Sequence, residues 1–513
     1  MSAEERRTEE YAVAEAGQLT FSRLLAALSF ALDLTEGASP GHALRSCLVG
    51  MRIGAAMGLT DEQRCDLYYA LLLKDAGCSS NATRLHQIVG GDEIRAKALT
   101  KTIDYERVEW KQIRFLLRNV HAKEKTGARL KAISSMLKHS GENARMLISL
   151  RCEQGAAVVR DLGLGKGTAE AIYNLDEHWN GAGYPDHLAG EAIPLLARIV
   201  SLAQTAEVFH SEYGAVVALD TIQRRSGRWF DPAVVRAAVP LMRTGALWEG
   251  SGREDLKEYV AGLEPRARSV AAEPAVINNI CAAFAGVIDA KSHSTYRHST
   301  EVARIAGEIG LWLGLPQAEL TMLHRAGLLH DIGKLSVPNS ILDKPGKLTA
   351  EEWECVKQHP RYTFEILSRV PTFSEIAKIA ATHHEKLDGT GYYRGLTGDQ
   401  LSQMQRILTV ADMYEALSAA RPYRGPMAPE DVLAILRKDV PHALDASCVA
   451  ALEEMVEAKP LEAGEGRPVD ANGRPIERRR TSNLDGILQN LGEGQRGDAV
   501  TELSPGGRSG TAA

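Results

Sequence analysis

Seven side chains suited to hold a metal ion fall between positions 298 and 412: His298, His330, Asp331, His359, His383, His384 and Asp412. Imidazole and carboxylate together suit Mn, Fe or Zn at a hydrolytic centre. An isolated His-Asp pair, such as His330-Asp331, is more often a capped helix end than a metal site. Here it is accompanied by further candidates in separate segments. Burying so many polar groups without partners is costly, and a shared metal cluster removes that cost.

The elements that must bring these residues together read as helices. Leu320, Leu323, Gly327 and His330 follow a helical period, which places the His-Asp pair at a helix end against the core. His298 shares a face with Val302, Ile305 and Ile309. His359 opens HPRYTFEIL at a helix start, His383 and His384 close IAKIAATHH, and Asp412 lies in RILTVADMYEAL with Leu408 and Glu415 on its side. Adjacent residues project about 100° apart on a helix, so His330 and Asp331 can serve neighbouring metals, the carboxylate bridging them.

The bulk properties agree with an all-α protein. Of 513 residues, 44% are hydrophobic, 25% charged and only 5% aromatic. A net charge of −6 excludes a globally basic nucleic-acid binder, so DNA is not an expected partner, while a local basic pocket remains open. The seven Cys are scattered without a CxxC pair and read as reduced thiols. No apolar run reaches the about 18 residues of a membrane span. The N-terminal segment is charged and lacks an apolar signal core. The expected location is the cytoplasm, away from the membrane.

The chain divides into a charged lead-in (1–18), a first helical domain (19–262), a linker (263–275), a second helical domain (276–458) and a tail rich in Gly, Arg, Glu and Ser (459–513). The tail's composition reads as disorder; an apolar stripe at Leu484, Ile487, Leu488 and Leu491 is more often incidental than a docking helix. The two domains repeat one another. His42 and His298, and Asp75 and Asp331, share one offset of 256 (298 − 42, 331 − 75). NGAGYP (180–185) and DGTGYY (388–393) share an offset of 208 (388 − 180), as do ARIVSLAQTAEVF (197–209) and QRILTVADMYEAL (405–417). The drop of 48 (256 − 208) places an insertion in the first copy within about 90–150.

The run HDIGKLSVPNSILDKPGKLTAEEW…H…HHEKLDGTGY…ADMYEALSAARPYR resembles the HD-GYP family, a branch of the HD superfamily of metal-dependent phosphohydrolases. The resemblance covers about 180 residues. It implies two tandem all-α HD-type domains, a metal centre and hydrolysis of cyclic di-GMP to linear dinucleotide or GMP. It assigns His298, His330, Asp331, His359, His383, His384 and Asp412 as metal ligands. Lys334 would contact the scissile phosphate, with Tyr392, Arg421 and Arg424 towards the substrate. Asp388 reads as a turn residue. Two departures stand out: Tyr393 replaces the signature Pro, which loosens the inference to cyclic di-GMP, and Ser294 stands where some three-metal members carry Glu. Two divalent ions, Mn or Fe, are therefore expected. Such a pair lowers the pKa of a bridging water and neutralises the phosphate, so a metal-bridging hydroxide is the expected nucleophile.

The first copy keeps His42 and Asp75 but carries Lys74, Arg151, Leu175, Asp176 and Gln204 where the second has His330, His359, His383, His384 and Asp412. Lys334 becomes Cys78. Such a copy reads as non-catalytic, either a structural partner or a regulatory pocket. Alternatives to cyclic di-GMP hydrolysis are an HD phosphohydrolase acting on another cyclic dinucleotide or nucleotide, and a signalling module that binds nucleotide without turnover. A second copy of the chain or a signalling partner would engage the first domain or the tail.

Overall fold

Helix starts coincide with side-chain caps written into the sequence. Thr60 with Gln63, Thr349 with Glu352 and Ser402 with Gln405 form reciprocal capping boxes that satisfy otherwise orphaned backbone N–H groups. The computed structural model describes residues 20–104, 126–265, 272–292, 297–419 and 425–458. The expected lead-in, the tail with its apolar stripe, Ser294, Arg421 and Arg424 lie outside the described residues. Among the described residues there are helices and isolated bridges but no strand, as an all-α fold requires.

The first half runs α1 (Phe21–Thr35), α2 (His42–Ala56), α3 (Asp61–Leu73), α4 (Ala82–Val89), α5 (Glu93–Thr100), α6 (Thr126–Lys138), α7 (Ser140–Asp161), α8 (Lys166–Tyr173), α9 (Leu195–Tyr213), α10 (Ala215–Arg225), α11 (Pro232–Thr244) and α12 (Leu256–Ala261). The second runs α13 (Pro274–Asp289), α14 (His298–Trp312), α15 (Gln317–Leu329), α16 (Asn339–Leu342), α17 (Ala350–Lys357), α18 (His359–Leu367), α19 (Ser374–Ala380), α20 (Gln403–Ser418), α21 (Pro429–Lys438) and α22 (Ala446–Ala458). A short 3₁₀ turn, Ile332–Ser336, follows α15.

The repeat extends to element boundaries. α2 and α14, and α3 and α15, begin and end 256 positions apart (298 − 42, 317 − 61). Beyond the insertion, α7 spans the equivalents of both α17 and α18. Pro360 explains the difference: it sits at the first turn of α18, where its missing N–H cannot continue the preceding helix. Its counterpart Cys152 keeps the amide, and α7 runs unbroken. Within the expected insertion, α5 and α6 are helical.

One hydrophobic core runs through both halves, from Phe21 to Met455. The packing between them is reciprocal. α1 lies on the 3₁₀ turn Ile332–Ser336 and on α18, while its counterpart α13 lies on α7. A buried polar node reinforces this contact. Glu93 of α5 accepts from Lys291 Nζ at 2.9 Å and from the Asn339 backbone N–H at 2.9 and 3.0 Å. Asn339 Nδ2 donates to Thr83 Oγ1 at 3.0 Å and to the Lys291 carbonyl at 2.7 Å. Glu93, Lys291 and Asn339 are all buried.

Candidate active site and metal centre

His298 begins α14, and its position is fixed from two directions. Asp289, at the end of α13, accepts from the Ser299 N–H and hydroxyl at 3.2 and 2.6 Å and so anchors the helix start. Glu415 of α20 pairs with His298 Nδ1, which turns Nε2 inward. His330 ends α15. The turn behind it can reach α18 only because residue 333 is glycine: a β-carbon there would collide with the His359 carbonyl oxygen. Thr363 clamps the same junction, donating to the His330 carbonyl at 2.8 Å and accepting from the Gly333 N–H at 3.1 Å.

Three imidazoles are held alike. Nδ1 of His330, His359 and His383 donates to the carbonyl three residues earlier, at 2.7, 2.6 and 2.6 Å. A carbonyl only accepts, so Nδ1 carries the proton and Nε2 is left with a lone pair. These lone pairs face one another: His330 Nε2 lies 3.2 Å from His298 Nε2, and His359 Nε2 lies 3.1 Å from His383 Nε2. Burial disfavours the charged form of two of the rings, with the His359 pKa pushed down to about 3 and that of His383 lowered. His384 is held well below the usual imidazole range, by burial first and by the neighbouring His383.

Asp331 lies between two donor groups. Its Oδ1 is 3.4 Å from His359 Nε2 and 3.6 Å from His383 Nε2, and has no hydrogen-bond partner although buried. Its Oδ2 is 3.4 Å from both His298 and His330 Nε2 and accepts from Lys334 Nζ at 2.5 Å. Burial opposes its ionisation, but Lys334 and the surrounding imidazoles hold the carboxyl well below the usual range. Asp412 Oδ1 faces His298 at 3.3 Å and Oδ2 faces His384 at 3.7 Å. Two sets thus have donor atoms within 4.8 Å of one another, His298/His330/Asp412 and His359/His383/His384, and Asp331 spans them. Converging lone pairs and an orphaned carboxylate oxygen are the donor chemistry a divalent cation satisfies.

The structure therefore brings together all seven residues singled out as ligands, with Lys334 beside them. Tyr392 lies against His384, ring centroids 4.8 Å apart, and in turn meets Trp353 edge-on at 5.7 Å. The Tyr392–Tyr393 peptide is cis, as is Tyr184–Pro185 in the first half. Asp388 is exposed and accepts from the Thr390 N–H, a turn contact. Glu415, Thr363 and Glu385, whose carboxylate accepts from the Arg394 and Leu396 N–H groups, were not singled out from sequence. Glu415 alone had a signal, lying three residues beyond Asp412 on the same helix.

In the first half the same frame holds different chemistry. His42 Nδ1 pairs with Glu207, the counterpart of Glu415. Lys74 takes the His330 position, bonding His42 Nε2 at 2.9 Å and pairing with Asp75. Arg151 pairs with Asp176, and Lys97 and Lys101 flank Glu36 at 3.3 and 3.1 Å. Protein cations neutralise this cluster.

A helical fold with clustered His and Asp around an HD pair defines a metal-dependent phosphohydrolase. An HD-domain family model matches residues 130–234 and 283–448. The chain belongs to the HD family, with HD-GYP-type phosphodiesterases among its relatives. It is 42% identical over 441 residues to 3'3'-cGAMP-specific phosphodiesterase 3 of Vibrio cholerae, covering 86% of this chain and 95% of that protein. The crystal structure of a V. cholerae cyclic GMP-AMP specific phosphodiesterase (V-cGAP3) superimposes with a TM-score of 0.58 at 37% identity, over 86% of this chain and 98% of that one. The cyclic di-GMP phosphodiesterase response regulator RpfG of Xanthomonas campestris is 38% identical over 171 residues, 33% of this chain and 45% of that protein. No described helix is long and apolar enough to cross a membrane.

Proposed function

We propose that the second half hydrolyses a 3'3'-linked cyclic dinucleotide, with 3'3'-cGAMP the preferred substrate and cyclic di-GMP, the substrate first expected from sequence, the second reading. The observation that carries this preference is extent. Similarity to a 3'3'-cGAMP-specific phosphodiesterase covers both halves, including the degenerate copy. Similarity to the named cyclic di-GMP phosphodiesterase RpfG covers only 33% of the chain.

His298, His330 and Asp412 would hold one divalent ion, and His359, His383 and His384 a second, with Asp331 shared. Mn or Fe suits this donor set. When bound, such a pair supplies an activated water and neutralises phosphate oxygens. The chain's own residues do the rest. Nδ1 hydrogen bonds keep the imidazoles aimed, Glu415 orients His298, and Lys334 offers an ammonium to the non-bridging phosphate oxygens. Tyr392 borders the substrate side. Arg421 and Arg424 are assigned there by family resemblance alone. Seven cysteines, none of them in a disulfide, fit a reducing cytoplasm.

The test is metal analysis of the purified protein followed by turnover of 3'3'-cGAMP, cyclic di-GMP and cyclic di-AMP. About two ions per chain and the highest kcat/KM on 3'3'-cGAMP are expected. Equal or faster turnover of cyclic di-GMP overturns the preference. A stoichiometry near four overturns the non-catalytic reading of the first half.

A further inference from the structure

The centre is closed on most sides. His298, His330, Asp331, His359 and His383 are buried, whereas side-chain exposure reaches 25% at His384 and 20% at Lys334. The opening therefore lies on the His384 and Lys334 side. Tyr392 packs on His384 at that opening, and Trp353 follows it outward. Trp353 is 43% exposed. It sits in α17, one turn and a half before His359, so the backbone that positions a ligand also positions this indole. The interplanar angle of 78° with Tyr392 sets the two rings edge to face rather than stacked, so Tyr392 does not cover the indole by stacking on it.

We infer that Trp353 is a base-stacking, substrate-binding residue, its indole face receiving one purine of the cyclic dinucleotide while the phosphate lies at Lys334. This rests on the cyclic-dinucleotide reading above. The occupant follows from placement. The indole is continuous with the reaction centre through Tyr392 and His384, so what covers it must also reach the centre. A cyclic dinucleotide carries a planar base on either side of its phosphate ring. Aromatic faces bind bases largely irrespective of identity, so Trp353 contributes affinity.

The experiment compares wild type with Trp353→Phe, Trp353→Leu and Trp353→Ala in two assays. The first is fluorescence of the metal-free protein titrated with 3'3'-cGAMP, which reads binding without turnover. The second is KM and kcat of the metal-loaded enzyme. Stacking predicts that W353A raises Kd and KM about 5- to 150-fold, the range of one base–aromatic contact, with a smaller change in kcat. W353F should keep most of the affinity. W353L, which keeps apolar bulk against Tyr392 but has no π-face, should resemble W353A. Quenching seen in wild type should be largely lost in W353F. KM and Kd within about twofold of wild type in W353A overturn the inference, as does a fall in kcat alone, which would mark Trp353 as a prop for Tyr392. If wild type turns over no cyclic dinucleotide, the functional reading fails; absent quenching in the metal-free protein then overturns this inference too, and quenching lost in W353F sustains it as a binding contact.

Discussion

Replacing Glu93 by Ala tests how the two halves are joined. Glu93 is fully buried and is the carboxylate facing the Lys291 ammonium, 2.9 Å away and itself 1% exposed. Burial already lowers the Lys291 pKa, and Glu93 acts against that shift. Glu93→Ala leaves a buried ammonium without its counter-charge and the Asn339 N–H without its acceptor. Breaking a buried pair from one side costs about 3–5 kcal/mol, and the orphaned N–H falls within the same node. Removing both charges in Glu93→Ala/Lys291→Met leaves only the N–H unsatisfied, so its cost should fall to about 1–3 kcal/mol. Urea unfolding of the full chain at fixed metal content reads these differences as shifts in midpoint at constant slope. The double variant should be more stable than Glu93→Ala alone. A cost for Glu93→Ala below about 1 kcal/mol, or a double variant as unstable as the two singles added, refutes the assignment of this node as a brace.

Glu415→Gln should weaken metal affinity about 10- to 100-fold, the usual effect of removing a group that orients a ligating histidine, as read by competition with a chelator; unchanged affinity would show that His298 is aimed without it. Asp33 is buried beneath the α2 start, where desolvation raises its pKa from 3.8 to about 7 despite Lys74 and the Ala43 N–H. Its native form therefore holds more protons than its unfolded form between those values, and stability falls as pH rises through that window. Thermal melts from pH 5 to pH 8 should cost wild type about 2–3 kcal/mol that Asp33→Asn does not lose, at about 1.4 kcal/mol per pKa unit; parallel pH profiles would contradict this. Tyr393→Pro, which restores the family signature, should change kcat/KM on cyclic di-GMP by less than about tenfold, or about 1.4 kcal/mol. A larger gain on cyclic di-GMP relative to 3'3'-cGAMP would make Tyr393 the selector.

What sequence could reveal depended on how local the cause was. His298, His330 and Asp412 announce themselves because helical periodicity turns each toward the core, and the structure brings their donor atoms together. The repeat was legible because α2 and α14 keep both length and offset. The replacement of two helices by α7 was legible only in hindsight, from the absence of Pro at Cys152. The carboxylate that braces the node was not: Glu93 lies in the insertion, 246 positions from Asn339, and no local pattern connects them. Nor does sequence reveal that Nδ1 of three histidines is committed to backbone carbonyls, since that follows from the way each helix ends.

The reciprocal docking of α1 and α13 has an evolutionary consequence. Two identical subunits packed this way would form a two-fold dimer, in which every substitution appears twice. A residue that improved one pocket would be forced on the other. Joining the copies in one polypeptide removes that compulsion. The shared packing surface still demands two intact folds, yet each pocket can be spelled separately, histidine at position 330 and lysine at position 74. The first half thus keeps the architecture while its pocket holds a different set of side chains. Its internal ammonium and guanidinium groups supply permanently the positive charge that the other pocket must acquire from solution.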